Sequence, residues 1–318
     1  MIAQWDDHEF TNDAWTDGAE NHQPATEGDW STRKAVAEKV YREWMPVSDS
    51  RWRDYQIGSL ATLFKLETRI SGRSAPPNLE SALKGREDIV EALTEFREGT
   101  VKSPNRTMLG AEQEQWLRRG LRRSTAAKTR WQVLAQQVLM GEIIMPQDAA
   151  NWVSPDSPEF IRRRLRAGLV AARVGLPYNL DSWGGFPAAR ERLLKDAAEA
   201  NANLVVLAGD THNAWAQNLS LGNARVGVEF ATHSVASPGF EYTLPTADPR
   251  DIARAVTGHN AGLAYMDASR RGYTSILLTP ESVTGQFHFL KTTRERSTAL
   301  EGTQMQRASH GTRKLDIV

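Results

Sequence analysis

Two short polar segments carry the side chains best suited to chemistry. The first is Trp5-Asp6-Asp7-His8-Glu9, four ionisable residues in a row behind a short apolar start. The second is Gly209-Asp210-Thr211-His212-Asn213, directly after the apolar run Leu204 to Ala208. Aspartate and neutral histidine are good ligands for divalent and trivalent cations. In an extended stretch residues i and i+2 project to the same side, so Asp210 and His212 can aim at one ion. Gly209 has no side chain and lets the backbone turn sharply toward such a site. The same residue types also cap loops and build surface turns, and spacing alone names no reaction.

Both clusters need a sheet to position them, because functional groups of open α/β sheets gather where strands end at their carboxyl edges. Leu204 to Ala208 is a continuous apolar run of strand length. Ile57 to Thr68 predicts one or two strands, and Trp131 to Met140 and Val226 to Ala231 one each. Tyr273 to Leu278 and Val283 to Leu290 flank Thr-Pro-Glu-Ser and predict a hairpin. Helical spacing marks Ser31 to Met45, where Ser31 or Thr32 can cap the start and Pro46 ends the pattern. Leu79 to Arg97, Glu112 to Ser124, Pro158 to Val174 and Ala188 to Ala200 also predict helix, with Arg162 to Arg164 and Arg166 as a solvated face. Strands alternate with helices, so the class is α/β or α+β. No linker divides the chain: residues 1–290 predict one domain and residues 291–318 a polar, extended tail.

Composition narrows the function classes. The 318 residues hold 39 basic and 39 acidic side chains, which cancel, so the charge excess of a polyelectrolyte-driven nucleic-acid or membrane-surface binder is missing. No sequence-specific nucleic-acid binding is expected. No run of about 18 apolar residues exists to span a membrane. Without cysteine there are no disulfides, thiolate nucleophiles or zinc fingers. Half of the tryptophans, namely Trp5, Trp15, Trp30, Trp44 and Trp52, crowd the start of the chain, which predicts a packed, partly polar region there.

Several blocks in fixed order resemble the PhoD-like alkaline phosphatase D family. They are Trp5 to Val47, LETR at Leu66 to Arg69, MLGAEQEQWL at Met108 to Leu117 and WQVLAQQV at Trp131 to Val138. DSWGGFPAARERLL at Asp181 to Leu194, LAGDTHNAW at Leu207 to Trp215, SVASPGFE at Ser234 to Glu241 and GYTSILLTPESVTGQFHF at Gly272 to Phe289 continue the series. The resemblance implies a metallophosphoesterase-like two-sheet β core flanked by helices, with a metal centre at the strand ends. It implies hydrolysis of phosphate esters, mono- or diester, with iron(III) and calcium as the cations.

By that resemblance, Asp7 takes a metal-ligand position and His8 the catalytic histidine position beside the scissile phosphate. Asp210 and His212 take further metal-ligand positions. Gln137 (or Gln136) stands where the wider superfamily has another histidine, as a site-lining residue, and Asn12 is a further neighbour. Arg69 is expected to be structural rather than phosphate-binding. The residue types suit this chemistry, since a bound cation acidifies a water and a histidine near its neutral pKa can protonate a leaving alkoxide.

The chain also departs from the family pattern. Members carry, ahead of the WDDHE block, a Gly-Asp motif whose aspartate bridges the metals, a cysteine ligand in several cases, and a tyrosine. None has a counterpart here, and Gly28-Asp29 lacks a preceding apolar strand. The expectation is a C-terminal portion of the catalytic domain, incomplete at its N-terminus. The complete protein would be secreted or periplasmic, whereas a chain genuine as written, having no export signal, would be cytoplasmic. The alternative functions are an inactive remnant, or an interaction module using the Trp-rich start as its surface. Burial of those tryptophans against the Ser31 to Met45 helix separates the last of these from a core role.

Overall fold

The computed structural model describes residues 2–48, 50–156 and 159–316. Among these, ten strands run in chain order: β1 Arg53–Ile57, β2 Ala61–Lys65, β3 Trp131–Ala135, β4 Leu204–Ala208, β5 Ala214–Leu221, β6 Ala224–Ala231, β7 Leu263–Asp267, β8 Gly272–Leu278, β9 Ser282–Leu290 and β10 Leu300–Ser309. Seven form one mixed sheet in the order β1-β2-β3-β4-β6-β5-β7, and three form a second sheet in the order β10-β9-β8. The centre of the large sheet, β2-β3-β4-β6, is parallel throughout, and its flanks are antiparallel.

Strand β4 shows why the run LVVLA is apolar without alternation. Val205 faces the small sheet in a cluster with Val228, Phe230, Phe287 and Phe289. Leu204 and Val206 face the other way, onto Leu117 and Leu121 of the helix Gly110–Ala126 and Leu193 and Leu194 of the helix Pro187–Glu199. A strand covered on both faces has no solvent side to mark with polar residues. Gly285 of β9 permits the close approach of the two sheets, since a β-carbon there would collide with the Phe230 ring. The two-sheet core flanked by helices is thus the observed fold.

Some elements differ from the sequence expectation. The helix Trp30–Trp44 is capped by Asp29, whose carboxylate accepts from the Thr32 amide at 2.9 Å, rather than by Ser31 or Thr32. The helix Glu159–Arg173 matches the expected span, of which Pro158 lies outside the described residues. The segment after Lys291 is extended but also paired, because β10 hydrogen-bonds along the whole of β9. As an edge strand it turns mostly polar residues to solvent, and of its apolar residues only Ala308, with nearby Leu315, enters the inter-sheet core. Strand β5 has no clear apolar pattern, because Gln217, Asn218 and Ser220 interrupt it. Its signal is instead the tight Gly222-Asn223 turn into β6, a type of turn that calls for residues tolerant of positive φ. Gly222 has φ 57 degrees.

The Trp-rich start is mostly core. Trp5 and Trp30 are buried with Phe10 and Ile70, and Trp15 packs against them. Trp5 meets the Phe10 ring edge-on at 5.6 Å and the Tyr41 ring at 5.4 Å. Trp44, at the helix end, remains 82% exposed.

Candidate functional site

Parallel strands bring their carboxyl ends to one edge, so the residues after β2, β3 and β4 converge. Gly209 donates its amide to the Gln137 carbonyl at 2.8 Å, and Leu66 donates to Ala135 at 2.9 Å. The turn after β2 is built by the buried Glu67, whose carboxylate accepts from the amides of Arg69 (2.7 Å), Ile70 (3.0 Å) and Ser71 (2.7 Å) and from the Trp5 indole (3.2 Å). Gln137 donates to the Trp5 carbonyl at 3.0 Å, and Gln4 donates to the Leu66 carbonyl. These bonds lay the N-terminal segment across the sheet edge and deliver Asp6 and Asp7 beside Asp210.

Carboxylate oxygens of Asp6, Asp7 and Asp210 all lie within 4.8 Å of one another. The fully buried Arg69 guanidinium sits among them. It donates from Nε to Asp6 Oδ1 at 2.6 Å, from Nη2 to Asp210 Oδ1 at 2.5 Å and from Nη1 to Asp181 Oδ2 at 2.5 Å, with Asp7 Oδ1 3.7 Å from Nη2. Arg73, also buried, holds Asp181 through its carboxylate and through its carbonyl at 2.5 Å. The Asp6 side chain keeps 31% of its surface in contact with solvent, so the cluster opens to water on that side.

Crowding the like charges has a visible cost. Withdrawal from water pushes the Asp210 carboxyl well above the usual range; Arg69 opposes this, while Asp6, Asp181 and Asp7 add to it. Asp6 is raised for the same reasons, against the pull of Arg69. At nearby Asp13, burial and the charge of Asp181 lift the pKa to about 7. Asp181 goes the other way: burial would raise it, but Arg69 and Arg73 together hold it below its ordinary value.

The Gly209–Asn213 loop is not extended. Asp210 has φ 67 degrees and His212 has φ 60 degrees. These are two non-glycine residues in the left-handed region, flanking one threonine. Such backbone strain of about 1–3 kcal/mol per residue collects where the surroundings fix a functional geometry. The two side chains therefore do not share a direction through simple alternation. Asp210 reaches Arg69, while His212 Nδ1 lies 2.8 Å from the Pro238 carbonyl. A carbonyl only accepts, so Nδ1 is the donor there, and the neutral tautomer that fits this bond leaves the lone pair on Nε2.

The sequence-selected residues divide clearly. Asp7 and Asp210 come together, and Asp6, passed over as the neighbour of Asp7, joins them. Asp7 is further fixed by the Asp13 amide, 2.9 Å from its Oδ2. His8 stands at the rim with 72% of its side chain exposed, its Nε2 3.9 Å from Asp7 Oδ2. Gln137 lies beneath, its side-chain carbonyl accepting from the Thr68 amide and hydroxyl at 3.1 and 2.7 Å. Asn12 is turned away and donates to Glu20 at 2.5 Å. Arg69, expected to be structural, sits at the centre and pairs with Asp6, Asp181 and Asp210. Asp181 and Arg73 carry no local signal of their own, although Asp181 opens one of the blocks of the resemblance.

Three carboxylates with oxygens within 4.8 Å of one another form an oxygen-donor set that fits a hard cation such as calcium or a trivalent metal. The PhoD-like phosphatase family model matches residues 1–287. Alkaline phosphatase D of Bacillus subtilis (strain 168) is 30% identical over 301 residues, covering 88% of this chain and 42% of that protein. A solved structure of PhoD has the same fold, with a TM-score of 0.70 and 24% identity, over 98% of this chain and 53% of that one. The chain thus spans about half the length of the relatives it matches. With residues 1–287 matched from end to end, the chain belongs to the PhoD-like phosphatase family.

Proposed function

We propose that this chain hydrolyses phosphate esters, mono- or diester, with water as nucleophile at the Asp6–Asp7–Asp210 cluster. The convergence of those three carboxylates at the carboxyl edge of the parallel strands carries the reading. Asp6, Asp7 and Asp210 would hold the cation; His212, which the structure leaves outside that group, is proposed as a further ligand on the family resemblance alone. Iron(III) and calcium are the cations proposed, since hard ions suit a carboxylate set. When bound, such a cation polarises a phosphoryl oxygen and lowers the pKa of a water.

The protein's own groups have separable tasks. Asp7 is held by the Asp13 amide, so its free oxygen has a defined direction. Pro238 fixes the His212 ring and its tautomer. His8, exposed at the rim beside Asp7, would give a proton to a departing alkoxide. Its solvent contact lets it recover that proton from water.

An assay with aryl phosphate mono- and diesters, with iron and calcium supplied, tests the proposal. His212→Ala should lower turnover by about ten- to a hundred-fold. Equal rates for the variant and the unaltered chain would sink the assignment.

A further inference from the structure

The Arg69 side chain is in an unusual position: one guanidinium touches three aspartates drawn from three distant parts of the chain and lies 3.7 Å from a fourth. Two of its groups are shared with the cation cluster, Nε with Asp6 and Nη2 with Asp210. The third, Nη1, reaches Asp181, which lies outside the cluster and is pinned by Arg73. Its backbone is also pinned, by the Glu67 carboxylate on its amide. A side chain held at its base and at one nitrogen can release the other edge without leaving the site.

We propose that Arg69 is an exchangeable counter-cation. A metal ion entering Asp6, Asp7 and Asp210 takes over the charge that the guanidinium supplies. The freed Nε–Nη2 edge, still tethered through Asp181, then meets a substrate phosphoryl oxygen. The inference rests on the cation site of the proposed function. Electrostatics requires the exchange to be one cation for another, because three bare carboxylates this close repel one another and leave uncompensated buried charge. Arginine suits both tasks, since its planar fork pairs in two-point fashion with either carboxylate or phosphate. The solvent-exposed flank at Asp6 is the route by which ion and anion would arrive.

Calorimetric titration of the full chain with calcium alone, and then of the calcium-loaded chain with inorganic phosphate, tests the exchange. Arg69→Met should bind calcium about ten-fold more tightly and, once loaded, bind phosphate about ten-fold more weakly. Arg69→Lys should fall between on both measures. Calcium affinity that is unchanged or weaker in a folded Arg69→Met chain would overturn the proposal. Should that variant not fold, the unaltered chain decides: its protected Arg69 Nε–H resonance should exchange faster as calcium saturates, and an unchanged signal would overturn the exchange. Absence of calcium binding in every form would remove both this inference and the cation site. Calcium exchange intact without ester hydrolysis would remove the activity and leave the exchange standing.

Discussion

Two groups of acids serve the same large sheet, one fully buried and one opening to water at Asp6, and they are satisfied in opposite ways. Glu67 and Glu229 have backbone partners. Glu67 takes three amides in a row and an indole, and Glu229 takes the Met140 and Gly141 amides at 2.6 and 2.7 Å. Asp6, Asp7 and Asp210 instead crowd one another around a single guanidinium. A carboxylate bonded to amides stabilises the turn that supplies them. Carboxylates packed against each other work against the folded state. The first arrangement is architecture, and the second makes chemical sense as a place for a cation.

The sharpest way to break this contrast is to remove one acid of each kind. Asp210→Asn should cost about a hundred-fold or more in ester hydrolysis while leaving thermal stability equal or higher, because it relieves like-charge repulsion. Glu67→Ala should lower stability by about 3 kcal/mol or more, since it strands several buried amides. Urea unfolding of both variants beside turnover measurements checks this, and a destabilised Asp210→Asn with normal turnover would reverse the assignment.

A smaller effect sharpens the architectural side. Burial lifts the Glu229 carboxyl to about 7, against the pull of its two amide bonds and of Arg190. The folded state then holds a proton that the unfolded state, titrating near 4.5, has already released. Its contribution is full below about pH 4.5 and is lost as pH rises through about 7, by up to about 3 kcal/mol. Glu229→Gln should flatten that slope in unfolding curves between about pH 4.5 and 7, and parallel slopes would contradict it.

Legibility in the sequence follows contact range. The strands buried on both faces announce themselves, as LVVLA does, and so do Asp7 and Asp210, which stand in compact polar blocks beside apolar runs. Asp6 is hidden because adjacent residues in an extended chain point apart. Here the segment turns at Asp7, whose carbonyl accepts from the Phe10 and Thr11 amides at 2.8 Å. The partners of Arg69 are not legible in the sequence because they lie 63, 112 and 141 residues away. No local pattern reveals that three such loops share one point; only the parallel sheet that aligns their strands does. The β10 strand is hidden for a different reason, since an edge strand needs few apolar residues.

The central claim is that the Asp6–Asp7–Asp210 cluster is a cation site, and thermal unfolding in a calcium titration tests it most directly. Binding to the folded state alone should raise stability by about 2.7 kcal/mol at a hundred times the dissociation constant. The unaltered chain should show that gain and Asp210→Asn should lose it. An equal gain in both, or none in the unaltered chain, would contradict it.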